Sequence, residues 1–250
     1  MTKPPQETDN TEKRPGERLA KRMARAGLCS RREAERWIEG GRVRVNDKKI
    51  DSPALNVSSS DAISVDGKLL AEKEPTRLFL YHKPAGLVTT HKDPEGRPTV
   101  FEKLPKDLPR VISIGRLDLN SEGLLLLTND GELARKLELP STGWIRRYRV
   151  RTYGGITESM LSEMKKGVTV EGMQYGSIEA TLDSQTGNNS WMTVALTEGK
   201  NREIRKIFEH FGCQVSRLIR TSYGPFQLGS LPKGGVREVT GKVLKSFIGK

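Results

Sequence analysis

Along the chain, apolar residues first recur with a helical period at Leu19, Ala20, Met23 and Ala24, in a run that begins at Glu17 and that Gly27 stops. A second helix is predicted from Ser30. Ser30 and Glu33 have capping-box spacing, Ala34, Trp37 and Ile38 supply the apolar face, and Gly40-Gly41 end it. The period then changes to two: Arg42-Val43-Arg44-Val45 alternates as a strand does, Asn46-Asp47 reads as a turn, and residues 62–65 ahead of Asp66-Gly67 read as another strand. Beyond residue 77, strand-like stretches at 78–82, 111–114, 123–128, 148–153, 177–182 and 192–196 alternate with helical ones near 132–137, 158–165 and 201–211. The last helix is the most periodic, with Ile204, Ile207, Phe208 and Phe211 at i, i+3, i+4 and i+7 and Gly212 closing it.

This order predicts an α+β chain of two domains. Residues 1–15, with Pro4, Pro5 and Pro15 among polar residues, hold almost nothing that could be buried and read as a disordered tail. Residues 16–66 form a small domain, 67–76 a charged linker ending near Pro75, and 77–250 a large mixed domain.

Composition narrows the function. The 250 residues carry 43 Lys and Arg against 31 Asp and Glu, a net charge of +12, and are 34% hydrophobic, enough for a core under a charged surface. No apolar run approaches the roughly 18 residues that span a bilayer, and the polar N-terminus lacks an apolar signal core, so a cytoplasmic protein without membrane contact is expected. Cys29 and Cys213 are too few for a disulfide framework, and His82, His91 and His210 lack ligand spacing, so no metal is expected. The glycine pairs Gly154-Gly155 and Gly234-Gly235 lack the spacing of a nucleotide-binding loop.

The positive charge is concentrated. Between Gly16 and Ile50 there are eleven basic and five acidic residues, an excess that is half of the whole net charge. Arg18, Arg22 and Arg25 fall at i, i+4 and i+7 on the first helix, with Lys21 beside them; Arg32 and Arg36 are four apart on the second, with Arg31 adjacent. Like charges at this spacing weaken a helix slightly, so an external polyanion is the partner they imply. Helix, helix, then Arg42 to Asn46 and a small sheet resembles the α-L RNA-binding domain of a small-subunit ribosomal protein, some tRNA synthetases and several RNA-modifying enzymes.

Candidate chemistry sits between Ile112 and Gly131. Asp118 lies between two apolar strands with Arg116 two residues before it. A carboxylate so placed is either a desolvated nucleophile or base, or a residue whose side chain closes a turn, and the residue types leave both open. Asp130, in Asn129-Asp130-Gly131, reads as a turn residue ahead of a helix.

The stretch from Gly115 to Gly131 resembles the active-site motif of the ribosomal small- and large-subunit pseudouridine synthases that carry an N-terminal α-L domain. Lys83-Pro84-Ala85-Gly86, Arg147-Tyr148-Arg149-Val150 and residues 198–206 fit the same family in the same order. The resemblance runs from Arg18 to about Arg237. It implies a large, mainly antiparallel mixed-sheet catalytic domain behind the α-L domain. It implies that Asp118 is the nucleophile, that Tyr148 stacks on the flipped uracil, and that Arg205 is the ionic partner of Asp118. Arg116, Lys83 and Arg202 would contact RNA phosphates or shape the site, while Arg18, Lys21, Arg22, Arg25, Arg31, Arg32 and Arg36 would bind RNA from the small domain. No cofactor is implied. The partner would be rRNA, free or in an assembly intermediate, and the enzyme a monomer. Residues 93–101 and 198–203 look more like the subfamily acting on a 23S rRNA stem-loop near the peptidyl-transferase region than the one acting on 16S rRNA; His82 replaces an asparagine common before Lys-Pro in relatives. A non-catalytic RNA-binding assembly factor is the competing class.

Overall fold

In the computed structural model, which describes residues 16–72 and 74–248, the chain divides after Pro75 into two units. The predicted tail at 1–15 lies outside the described residues. In the first unit β1 (Glu17–Arg18) leads into α1 (Leu19–Arg25), α2 (Arg31–Glu39), β2 (Val43–Val45), β3 (Lys48–Ile50), β4 (Asn56–Val57), β5 (Ile63–Val65) and β6 (Lys68–Leu69). The Ser30 side chain accepts from Glu33 N at 3.2 Å and Glu33 Oε2 accepts from Ser30 N at 3.4 Å, so the capping box starts α2 as its spacing predicts. Leu19, Met23, Ala34 and Ile38 meet Val43, Val57 and Ile63 in one buried cluster. Asn46 and Asp47 both have positive φ (50° and 63°) in the turn joining β2 to β3.

Two expectations change here. Glu17 and Arg18 do not begin the first helix; they pair antiparallel with Val57 and Asn56, because tertiary pairing supplies hydrogen bonds that a frayed helix end would lack. Lys68–Leu69 pairs with Ser64 and Val65, and Leu70 packs on the small core, so the start of the expected 67–76 linker belongs to the first unit.

The second unit runs β7 (Leu78–Lys83), β8 (Ile112–Ile114), β9 (Ser121–Thr128), α3 (Gly131–Glu138), β10 (Arg146–Tyr153), α4 (Glu158–Lys166), β11 (Val168–Val170), β12 (Met173–Tyr175), β13 (Glu179–Thr186), β14 (Asn189–Leu196), α5 (Glu203–His210), β15 (Gln214–Tyr223), β16 (Phe226–Gln227), β17 (Val236–Glu238) and α6 (Gly241–Ile248). Among the described residues nine strands form one sheet with the path β13-β14-β10-β15-β9-β7-β17, β16 on β15 and β8 on β9. Only β15 and β9 run parallel in it; the rest is antiparallel, as expected.

Leu124 to Leu127 have no exposed surface. Leu125 and Leu127 enter a cluster with Tyr148, Val150, Ile207 and Phe208; Leu124 and Leu126 enter another with Leu133 and Leu137 of α3. A strand buried on both faces needs a continuous apolar run rather than alternation, and this run supplies it. Asp130 caps α3, accepting from Glu132 N and Leu133 N. The last predicted helix begins at Glu203 instead of residue 201, because Arg202 takes a left-handed φ of 51°. No helix among the described residues is long and apolar enough to cross a membrane.

Candidate active site

Asp118 sits on the loop between β8 and β9, half-buried, at the wall of an open cleft of about 500 Å³. The loop is clamped from several sides. Ser121 N donates to Asp118 O (3.0 Å) and Gly86 N to Leu119 O (2.8 Å), while Thr89 Oγ1 donates to Leu117 O (2.8 Å). Lys83, at the end of β7, has no exposed surface, and its Nζ donates to the carbonyls of Pro84, Asp118, Leu119 and Ser121 at 2.8–3.3 Å. Burial lowers the Lys83 ammonium to about 8, against the pull of the Asp118 and Glu122 charges. Of the two roles expected for Lys83, contact with RNA phosphate is corrected, since its ammonium is fully enclosed and bonds four carbonyls; shaping the site is the one that its position fits.

Arg205, half-buried on α5, also holds this loop. Its Nη2 donates to Asn120 O at 3.0 Å and its Nη1 to Val215 O at 2.9 Å. Burial lowers its guanidinium, Arg202 adds to that, and the Asp118 charge opposes it. One N–H of each Nη group thus bonds a main-chain carbonyl, Asn120 O lying on the Asp118 loop, and the Asp118 charge acts on the guanidinium through space.

Tyr148, 8% exposed on β10, lines the same cleft as Asp118, opposite Val194 on one neighbouring strand and Arg220 on the other. Arg116 and Arg202 are exposed and line it too, so both are available to a polyanion; Arg205 does not line it. Residues 199–204 line the cleft as well. Glu198 accepts from Gly176 N and Lys200 Nζ, and Lys200 N donates to Glu203 Oε2 at 2.9 Å. Glu203 is 4% exposed, burial pushes its carboxyl up, and its Oε1 is without a partner among the described residues.

Sequence reasoning missed Arg146, Glu203, Arg220 and Tyr223, which also line the cleft. Arg146 Nη2 donates to Tyr223 Oη at 3.2 Å, and its guanidinium lies 4.8 Å from that ring's centroid. No local signal marks Arg146, Arg220 and Tyr223, because the strand pairing that gathers them joins segments about 75 residues apart, whereas Glu203 lies inside the 198–206 motif. In the small unit Arg31, Arg32 and Arg36 are exposed, whereas Arg25 pairs with Glu17 at 2.7 Å and Arg18 donates to Ala54 O.

Residues 77–210 match the family described as RNA pseudouridylate synthase, and residues 17–63 match the S4 domain. The chain is 51% identical over 231 residues to an uncharacterised RNA pseudouridine synthase of Rickettsia typhi, spanning 92% of this chain and 95% of the relative. It is 46% identical to the ribosomal large subunit pseudouridine synthase B of Pasteurella multocida, over 90% of this chain and 67% of the relative. A crystal structure of a pseudouridylate synthase aligns with a TM-score of 0.64 at 25% identity, covering 93% of this chain and all of that one. An S4 domain ahead of a mixed-sheet unit whose cleft carries a carboxylate and a tyrosine defines an RNA-modifying enzyme. The chain belongs to the RNA pseudouridylate synthase family, and its activity is pseudouridine synthesis.

Proposed function

We propose that this enzyme isomerises a uridine of 23S rRNA, in a stem-loop near the peptidyl-transferase region, with Asp118 as nucleophile, Tyr148 stacking on the flipped uracil and Arg205 positioning Asp118. The observation that carries the reading is the pairing of a clamped carboxylate and an aromatic ring in one cleft. A nucleophile needs a fixed approach, and Lys83 and Arg205 both bond the main chain of its loop. A base inside an RNA helix must leave the stack to be reached, and an aromatic ring gives it a sequence-tolerant platform. The exposed Arg116 and Arg202 at the cleft, and Arg31, Arg32 and Arg36 of the S4 domain, suit the flanking phosphates. The likeness to large-subunit synthases supports 23S over 16S rRNA.

The test is carbodiimide mapping of pseudouridine across both large rRNAs in cells lacking this protein, complemented with wild type or Asp118→Asn. A single 23S stop that disappears on deletion and returns only with wild type is expected. A 16S stop overturns the substrate, and a stop restored by Asp118→Asn overturns the nucleophile.

A further inference from the structure

Arg220, on β15, is a nearly enclosed charge: 3% of its surface is exposed, and it lines the cleft together with Asp118 and Tyr148. Its anchoring is tight. Nε donates to Leu124 O at 2.7 Å, and the guanidinium lies 5.1 Å from the centroid of Tyr223. That ring is itself held, its hydroxyl donating to Leu137 O at 3.1 Å and accepting from Arg146 Nη2. The backbone is fixed as firmly. Arg220 pairs in parallel with Gly123 and antiparallel with Tyr148, where the β10/β15 register shifts. Gly123 has a φ of 105°, and a Cβ there would strike the Arg220 main chain.

What this anchoring leaves over is the outer end of the guanidinium, both of its Nη groups. Among the described residues neither Nη group has a hydrogen-bond partner, Nη2 being fully buried and Nη1 not, and no carboxylate pairs with the guanidinium. A desolvated cation with an unused N–H is costly in a folded protein unless a partner arrives from outside. The cleft it lines is where such a partner enters.

We propose that Arg220 contacts the substrate: its Nη1, the unpaired nitrogen that is not sealed off from the cleft, donates to a carbonyl oxygen of the uracil and stabilises the negative charge that gathers there while the base is detached. The proposal rests on the reading of this cleft as the site of uridine isomerisation. Breaking the N1–C1′ bond leaves its electron pair on the uracil, spread over N1, O2 and O4. A ring electron pair then forms the C5–C1′ bond, the C5 proton departs and N1 takes one up, so no atom or electron is gained or lost. A donor already fixed at the developing oxyanion needs no reorganisation as the charge appears, which is where electrostatic catalysis is strongest. Tyr148, cross-strand from Arg220, would hold the ring face while Arg220 holds its edge.

The experiment measures single-turnover release of tritium from 5-tritiated uridine in an rRNA stem-loop by the full chain, alongside RNA binding and thermal melting. Arg220→Gln is expected to lower the rate at saturating RNA by about a hundredfold while the Kd stays within about threefold. Arg220→Lys restores part of the rate, since it keeps the charge and loses the fork. Sulfur replacing O2 or O4 of the target uracil slows the wild type at the contacted oxygen, and that penalty vanishes in Arg220→Gln. A weaker Kd with a normal rate at saturating RNA overturns the proposal and makes Arg220 a phosphate anchor. A normal rate once the folded fraction is accounted for overturns it as well, leaving a structural role. Sulfur penalties undiminished in Arg220→Gln refute the contact with the carbonyl. Asp118→Asn runs in parallel: if it turns over, the nucleophile assignment fails whatever Arg220 does.

Discussion

The backbone of Asp118 is held from several sides. Four carbonyls around its loop share one enclosed ammonium, Lys83 Nζ, and a fifth accepts from Arg205. Asp118→Asn preserves the shape of the side chain, so single-turnover rates should fall by many orders while RNA affinity, measured by filter binding, stays within about tenfold. Lys83→Met leaves those carbonyls without their donor and lets the loop drift; a displacement near 1 Å is enough to cost about a hundredfold in rate. The lysine also sets a pH dependence. Its ammonium, depressed to about 8 from 10.5, is charged in both folded and unfolded chains below pH 8 and penalises folding there in full. The penalty, on the order of 3 kcal/mol at most, fades as pH rises from about 8 to 10.5. Over that window wild type should gain stability relative to Lys83→Met in denaturant titrations. Activity should move the opposite way, with a high-pH limb near 8 that Lys83→Met lacks. Asp118 could be singled out from its motif; the enclosure of Lys83 could not be read, because an exposed phosphate contact and a buried clamp look alike in a sequence.

At the level of elements, α2 and β9 form where local pattern and tertiary demand agree. The Ser30 and Glu33 capping box and the run Leu124 to Leu127 were both legible, the first because a cap is satisfied within one turn, the second because a strand buried on two faces tolerates no polar position. β1 and the start of α5 were not, since the first depends on a distant partner, Asn56 and Val57, and the second on one left-handed residue; β6 was missed although it pairs locally with β5 across the Asp66-Gly67 turn. Gly123 shows how strictly β9 is constrained. Gly123→Ala must adopt a φ of 105° and push against Arg220, so it should destabilise the chain by about 1–3 kcal/mol from the backbone alone, measured by urea unfolding, and should lower the rate through Arg220. Leu125→Ala, which only opens a cavity, should cost about 2–5 kcal/mol and leave the rate of the folded fraction near wild type.

For the whole molecule, charge decides the encounter with RNA. Half of the net +12 lies between Gly16 and Ile50, and Arg31, Arg32 and Arg36 are exposed there. Replacing all three with Gln should weaken RNA binding and flatten the plot of log affinity against log salt by about three units, one per lost phosphate contact, with the rate at saturating RNA retained. Composition, hydrophobic period and motif order by themselves determined the two-domain α+β layout, the basic N-terminal unit, the capped α2 and the apolar strand that becomes β9, and the motif resemblance marked Asp118 and Tyr148 as the residues to watch. All of these are local, set by spacing within a turn, a strand or a loop. Only the tertiary structure decided that Lys83 is enclosed, that Arg205 bonds a carbonyl of the Asp118 loop and one of β15, and that Arg146, Glu203, Arg220 and Tyr223 share the cleft. Those facts follow from which strands lie side by side and in what register, and the parallel pairing of β9 with β15 joins segments about a hundred residues apart that no local period connects.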